Sequence, residues 1–188
     1  MPRAGVDPEA IVAVAATVAD AEGIEAVSLA RLADSLGVRS PSLYAHVDGI
    51  DDVLRRLGVR GLQELAATLS RAVEGRSGGD ALRGLAHAYR TYALEHPGAY
   101  AAAQRSQLLA HDEQARAAGA EVVRVAVATV RDYELDGDEA IHAVRLIRSA
   151  LHGFVALEAS GGFAMGQSVD ETFDRLVALL DAGLRGGS

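Results

Sequence analysis

Residues 28–47 read SLARLADSLGVRSPSLYAHV, and the spacing of small, apolar and turn residues in this run decides the fold. Ser28 caps a helix whose Leu29, Leu32, Ala33 and Leu36 fall three and four apart on one face, and Gly37 ends it. Ser40 caps a second, short helix with Pro41 at its first position, and Asp48-Gly49 closes it. Two helices that cross steeply need a small side chain where they touch, which Ala33 supplies. They need a turn residue that tolerates positive φ, which Gly37 supplies. Val38 and Leu43 lock the pair from either side. This spacing predicts a helix-turn-helix; an ordinary helical hairpin is the other reading.

The second helix has little to bury. Leu43 and Val47 read as its core, which leaves Arg39, Ser40, Ser42, Tyr44 and His46 facing out. So short a helix cannot stabilise itself, and its outward side chains are of types that contact DNA. Arg pairs bidentately with guanine edges, and Ser reaches bases or phosphates. Ser40, Ser42 and the amides of the helix start suit phosphate oxygens, and Tyr44 offers its hydroxyl. Alternatively, Tyr44 and His46 simply cover the small core.

Outward from this run the chain reads as helix throughout, with apolar residues three and four apart and no alternating stretch of strand length. Asp7-Pro8-Glu9 starts a first helix with Ile11, Val14, Ala15 and Val18 on one face, and Gly23 stops it. A long helix follows from Ile50 to about Glu74. The loop GRSGG at 75–79 is the first real linker. Further helices are expected from Asp80 to His96-Pro97, over 98–110, 112–132 and 138–159, and after a capping box at Ser168–Glu171.

Composition bounds the function. The 188 residues are 49% hydrophobic, enough for one compact body or two small ones. There is no Cys, which excludes disulfides and thiolate metal sites, and all 18 basic residues are Arg. No signal peptide is read in MPRAGVDPEA and no apolar run of membrane-spanning length is expected, so a cytoplasmic location and no membrane partner are the expectation. The net charge of −8 argues against a protein that coats nucleic acid, and the first 60 residues set six Arg against nine carboxylates. Specific reading must therefore rest on local geometry. No phosphate loop, metal-ligand spacing or nucleophile arrangement points to an enzyme, and no cofactor or metal is expected.

The run Leu36–Val47 resembles the recognition segment of the TetR family of bacterial transcriptional regulators. Gly23–Leu29 before it and Asp51-Asp52-Val53-Leu54 after it match that family as well, so the resemblance covers about residues 7–57. It implies that Arg39, Ser40, Pro41, Ser42, Tyr44 and His46 face DNA, and that Arg31 is a phosphate or groove contact. One position departs: after Gly49 the family often has a Lys that reaches phosphate, and here Ile50 stands there. The implied fold is all-α with about nine helices. A helix-turn-helix domain at 1–49 precedes a ligand-binding and dimerisation domain at 50–188, connected by the helix 50–74.

In the second half, Ser149, Gly153, Ala156 and Ser160 form a small-residue stripe on the helix 138–159, and the last helix carries Val169, Phe173, Leu176, Val177, Leu180 and Leu184. Two such helices from each of two copies would make a four-helix interface. Tyr89–Pro97 and Leu151–Phe154 also resemble a TetR subtype with a Trp-His-Gly signature, in which Leu151 here replaces the Trp. Polar residues in apolar helices are candidates to line a ligand pocket: His87, Tyr92, Tyr100, Gln104, Gln107, Arg148 and His152, with Phe154 as an apolar wall. Their mixed character points to a small, largely apolar effector. The expected function is a homodimeric, ligand-responsive repressor of a palindromic operator in double-stranded DNA. The alternative is a helical ligand-binding or scaffold protein whose helix-turn-helix no longer binds DNA.

Overall fold

The computed structural model describes residues 7–186; the first six residues, read above for a signal sequence, lie outside that range. Every regular element in it is helical: α1 (Pro8–Glu22), α2 (Leu29–Leu36), α3 (Ile50–Val73), α4 (Gly78–Glu95), α5 (Pro97–Ala103), α6 (Ser106–Leu109), α7 (Glu113–Val130), α8 (Gly137–Ala159) and α9 (Val169–Gly186). Short 3-10 turns stand at Ile24–Ala26, Ser40–Ala45 and Arg131–Tyr133. The expected helix over 98–110 is thus two pieces, α5 and α6.

The chain divides into two compact units, Met1–Glu64 with Glu95–Gly119, and Leu65–Leu94 with Ala120–Ser188. This division differs from a boundary at Gly49. The reason is the core of the first unit. Ile11, Ala15, Leu32 and Leu43 share one buried cluster with Val53, Leu54 and Leu57 of α3 and with Ala99 and Ala102 of α5. The short helix pair cannot bury its apolar face without the first part of α3, up to Glu64, and α5, so these belong to the first unit.

Three glycines let α5 lie this close. A Cβ on Gly61 would stand 2.4 Å from the Ala99 carbonyl oxygen, and one on Gly58 2.9 Å from that of Ala102. At Gly98 it would fall 2.3 Å from the Ala19 Cβ. The Gly98 amide donates to the Asp20 carboxylate at 2.7 Å, which ties the start of α5 to α1.

In the second unit, Phe173 of α9 is fully buried. It meets Phe154 of α8 edge-on at 5.0 Å and the His87 ring of α4 at 5.2 Å. Arg90 of α4 closes this cluster. Its guanidinium lies 4.9 Å from the Phe173 centroid and donates to Glu158 at 2.5 and 2.7 Å. It also pairs with Asp170 at 2.7 Å, so it fastens α4 to both α8 and α9. The Glu158 hydrogen bond leads the influences that hold its pKa above the ordinary arginine value.

Two local expectations need correction. Ser168 accepts from the Glu171 amide at 3.2 Å, but the Glu171 carboxylate turns forward to Arg175 at 2.6 Å. The capping box is therefore half made, because a charged partner one turn on outcompetes a neutral amide. Secondly, α8 is long and apolar enough by length and composition to cross a membrane, with mean hydropathy 1.2 over its best window. Arg145 and Arg148 interrupt the run, and the mean reaches that value with both of them counted. In the fold, its Ala140, Ala143, Ile147, Leu151, Phe154 and Val155 are buried.

Candidate nucleic-acid interface

The turn between α2 and the short helix is built from the backbone up. Ser28 Oγ accepts from the Arg31 amide at 3.3 Å and starts α2. Gly37 ends it in the left-handed conformation, φ 66° and ψ 32°. The Gly37 amide donates to Asp34 and the Val38 amide to Ala33, at 3.0 and 2.9 Å. These are the paired bonds of a Schellman stop, in which a side chain at the left-handed position would be strained. Ala33 is buried at the crossing, and Leu43 and Val47 pin the next helix beneath it.

That next helix is six residues of 3-10 helix, Ser40–Ala45, and its cap is Arg39 in extended backbone, with no side-chain capping bond. Ser40 is therefore its first residue rather than its cap. The element is too short to gain from α-helical bonds, and i→i+3 bonds hold it: Ser42 N to Arg39 O and His46 N to Leu43 O, each 2.9 Å. One face is committed to the core. The other presents Arg39, Pro41, Ser42 and Tyr44 to solvent, with Ser40 and His46 half-buried. Tyr44 is 63% exposed, which removes it as a cover for the small core.

Most guanidiniums here are occupied. Arg55 of α3 pairs with Asp52 at 2.5 Å and with Asp112 before α7. Arg56 joins the same Asp52 at 3.0 Å, and Arg60 pairs with Glu64 at 2.7 Å. Arg31 pairs with Glu22 across two helices, and Arg105 with Glu25. Among the described residues, Arg39 makes no ion pair. Its charge is the one that this segment holds open to an anion.

The acids holding α3 are themselves stabilised. Burial pushes the Asp52 carboxyl up, but the Arg55 guanidinium, the Asp48 amide and Arg56 outweigh it and hold the pKa below the ordinary value. The Ala115 amide does the same for Asp112, which caps α7 with a 2.7 Å bond, and Arg55 adds to it. The Asp48 amide donates to Asp52 Oδ2 at 3.2 Å, closing the start of α3. Ile50 packs against the core cluster, so the side chain at the position where a phosphate-reaching Lys was expected is turned inward.

The ligand candidates are divided. Tyr100, Gln104 and Gln107 belong to the first unit, and His87, Tyr92, Arg148, His152 and Phe154 to the second. Tyr92, Tyr100 and Phe154 are buried; Gln104, His87 and His152 are half-buried; Gln107 and Arg148 are exposed. His87 stands 3.1 Å from Asp174. A groove of about 390 Å³ in the first unit lies among Pro8 and Val12 of α1, Arg56, Val59 and Arg60 of α3, and Gln114. None of the sequence candidates lines it. Sequence reading had no signal for it, because its walls come from helix faces far apart in the chain.

Comparison with known proteins now fits this geometry. A family model described as Tetracyclin repressor-like, C-terminal domain, matches residues 82–180. The uncharacterized HTH-type transcriptional regulator Rv0681 of Mycobacterium tuberculosis is 38% identical over 177 residues, 94% of this chain and 80% of that protein. The uncharacterized HTH-type transcriptional regulator YobS of Bacillus subtilis is 36% identical over 184 residues, 97% of this chain and 95% of that one. The structure of the TetR family protein ActR from Streptomyces coelicolor, in complex with (S)-DNPA, shares the fold. It aligns with a TM-score of 0.68 over 98% of this chain and 99% of that chain, at 19% identity. The chain belongs to the TetR family of helix-turn-helix transcriptional regulators.

Proposed function

We propose that the protein acts as a homodimer that holds a palindromic operator as a repressor and releases it when a small, largely apolar molecule binds. The observation that carries the DNA reading is the row Arg39, Ser42 and Tyr44, exposed on a helix whose opposite face is locked by Leu43 and Val47. Arg39 reads a base edge, Ser40 and Ser42 with the nearby amides take phosphates, and Tyr44 and His46 contact the backbone or the groove. Pro41 fixes the start of the helix, and Arg31 takes a phosphate beside it.

Pairing is supported by α8 and α9. Leu146 and Leu157 of α8 are 65% and 51% exposed, and Leu179 of α9 is 69% exposed. Nothing stands within 4 Å of a Cβ built on Gly153, which falls on the Leu146 and Leu157 side of α8. A second copy would cover this apolar face and set two reading heads about 34–36 Å apart, one helical turn of DNA.

Release follows from how α3 is held. α5 touches it backbone to backbone at Gly58 and Gly61, and Asp112 holds Arg55. An effector that favours another placement of α5 or α7 shifts α3, and with it the reading head, by its differential affinity for the two states. Tyr100, Gln104 and Gln107 of the first unit, or His87, Tyr92, Arg148, His152 and Phe154 of the second, are the proposed contacts to that effector.

Footprinting on the DNA flanking the gene, followed by titration at two salt concentrations, tests the reading. Sequence-specific, salt-sensitive binding is expected, and Arg39→Ala is expected to cost about 1–3 kcal/mol and relax base choice at one position per half-site. Unchanged binding by that variant refutes the role of Arg39. A helical ligand-binding protein without DNA affinity is the second reading, favoured by the inward-turned Ile50; no binding at low salt would establish it over the first.

A further inference from the structure

Arg31 lies in the first turn of α2 and donates to Glu22, the last residue of α1. The pair is unlike Arg56–Asp52 or Arg60–Glu64, which are one-turn neighbours on a single helix. It joins two helices across nine residues of sequence, and its side chains are 48% and 46% exposed. So exposed a pair is held weakly and exchanges with other anions. Towards a guanidinium, a phosphate offers the same geometry as a carboxylate, two oxygens to the planar fork.

We infer that Glu22 is a built-in competitor for the DNA phosphate that Arg31 contacts, and that it lowers the sequence-independent part of operator affinity. The inference rests on the proposed reading of Arg31 as a phosphate contact. Before DNA arrives, Glu22 fills the site on Arg31 that phosphate would take. Binding must then displace one carboxylate for each phosphate gained, and fewer counterions are released. Arg39, which has no such partner, keeps its full contribution to base choice. Glu22 thus lowers the general attraction to any duplex and leaves the ratio of operator to unrelated affinity unchanged, without touching a base.

The test uses the full chain and two duplexes, the footprinted operator and an unrelated sequence, over a range of salt. Glu22→Gln keeps the shape of the side chain and removes its charge. It is expected to tighten both duplexes alike, by roughly threefold per protomer. It should also steepen the slope of log K against log salt by about 0.9 per protomer. In an Arg31→Ala background Glu22→Gln should change nothing, because the freed contact is gone. Glu25→Gln carries the same charge change, but its partner is Arg105, and it should leave the slope as it was. Unchanged or weakened binding by Glu22→Gln overturns the inference. So does an equal gain in the Arg31→Ala background or with Glu25→Gln, since the effect would then be one of net charge. A wild-type chain that binds neither duplex removes the operator reading itself and this inference with it, and that result is visible before any variant is compared.

Discussion

Gly61→Ala separates local helix preference from the packing of the first unit. Gly61 lies inside α3, where glycine costs about 1 kcal/mol relative to alanine, so propensity alone makes the substitution stabilising. The tertiary structure gives the opposite sign. The added Cβ would stand 2.4 Å from the Ala99 carbonyl oxygen and 3.0 Å from its carbon, both backbone atoms of α5. No side chain can swing aside, so α5 must move, and α5 is fixed to α1 by the Asp20 bond to Gly98. Taking the overpacking cost at about 3 kcal/mol, the top of the usual range, and subtracting about 1 kcal/mol of helix gain leaves a net loss of about 2 kcal/mol. For a chain of this size that is a fall in Tm of about 4–8 °C. Gly119→Ala is the matched control: it lies inside α7 with nothing within 4 Å of its Cβ, and it should gain up to about 1 kcal/mol. Urea unfolding of both variants measures the pair. A Gly61→Ala protein as stable as the wild type, or more so, would refute the close crossing of α3 and α5.

Other outcomes can be checked alongside. Asp20→Ala leaves the Gly98 amide without its partner and should cost about 1–2 kcal/mol, read from urea midpoints; Asp20→Asn, which can still accept that bond, should recover most of it. Leu146→Glu places a charge on the exposed apolar face of α8 and should shift sedimentation towards the monomer, with the helical circular dichroism unchanged. The Asp52 and Asp112 pKa values are held below the ordinary aspartate value in the folded chain. Their contribution is therefore complete above about pH 4 and is lost as pH falls through the lower folded values. Asp112→Asn keeps an acceptor for the Ala115 amide but removes the charge that faces Arg55, and should lower stability at pH 7 by up to about 1 kcal/mol; its difference from the wild type should shrink between pH 4 and 2, and a difference constant over that range would argue against the shift.

The sequence by itself determined the local elements and the exposed face that is proposed to read DNA. Asp7, Ser28, Gly37 and the spacing Ala33, Val38, Leu43 are signals carried within a few residues, where capping bonds, positive φ and helical period operate. The structure follows them closely, down to the paired bonds of the Gly37 stop. The exposure of Arg39, Ser42 and Tyr44 was legible because Leu43 and Val47 take the apolar work of this segment and leave them none. The form of the short helix was less legible: i→i+3 bonding over Ser40–Ala45 is a balance within one turn that residue types do not settle. The tertiary structure alone decided what α5 is for. Pro97-Gly98-Ala99-Tyr100 reads as an ordinary helix start, yet Gly98, Gly61 and Gly58 make it the wedge that joins α1 to α3. It decided also which charges remain open, since Glu22 takes Arg31 and Asp112 takes Arg55 from nine and 57 residues away. Such pairings depend on where helices come to rest, and that is set by the shape of the shared core rather than by any spacing along the chain.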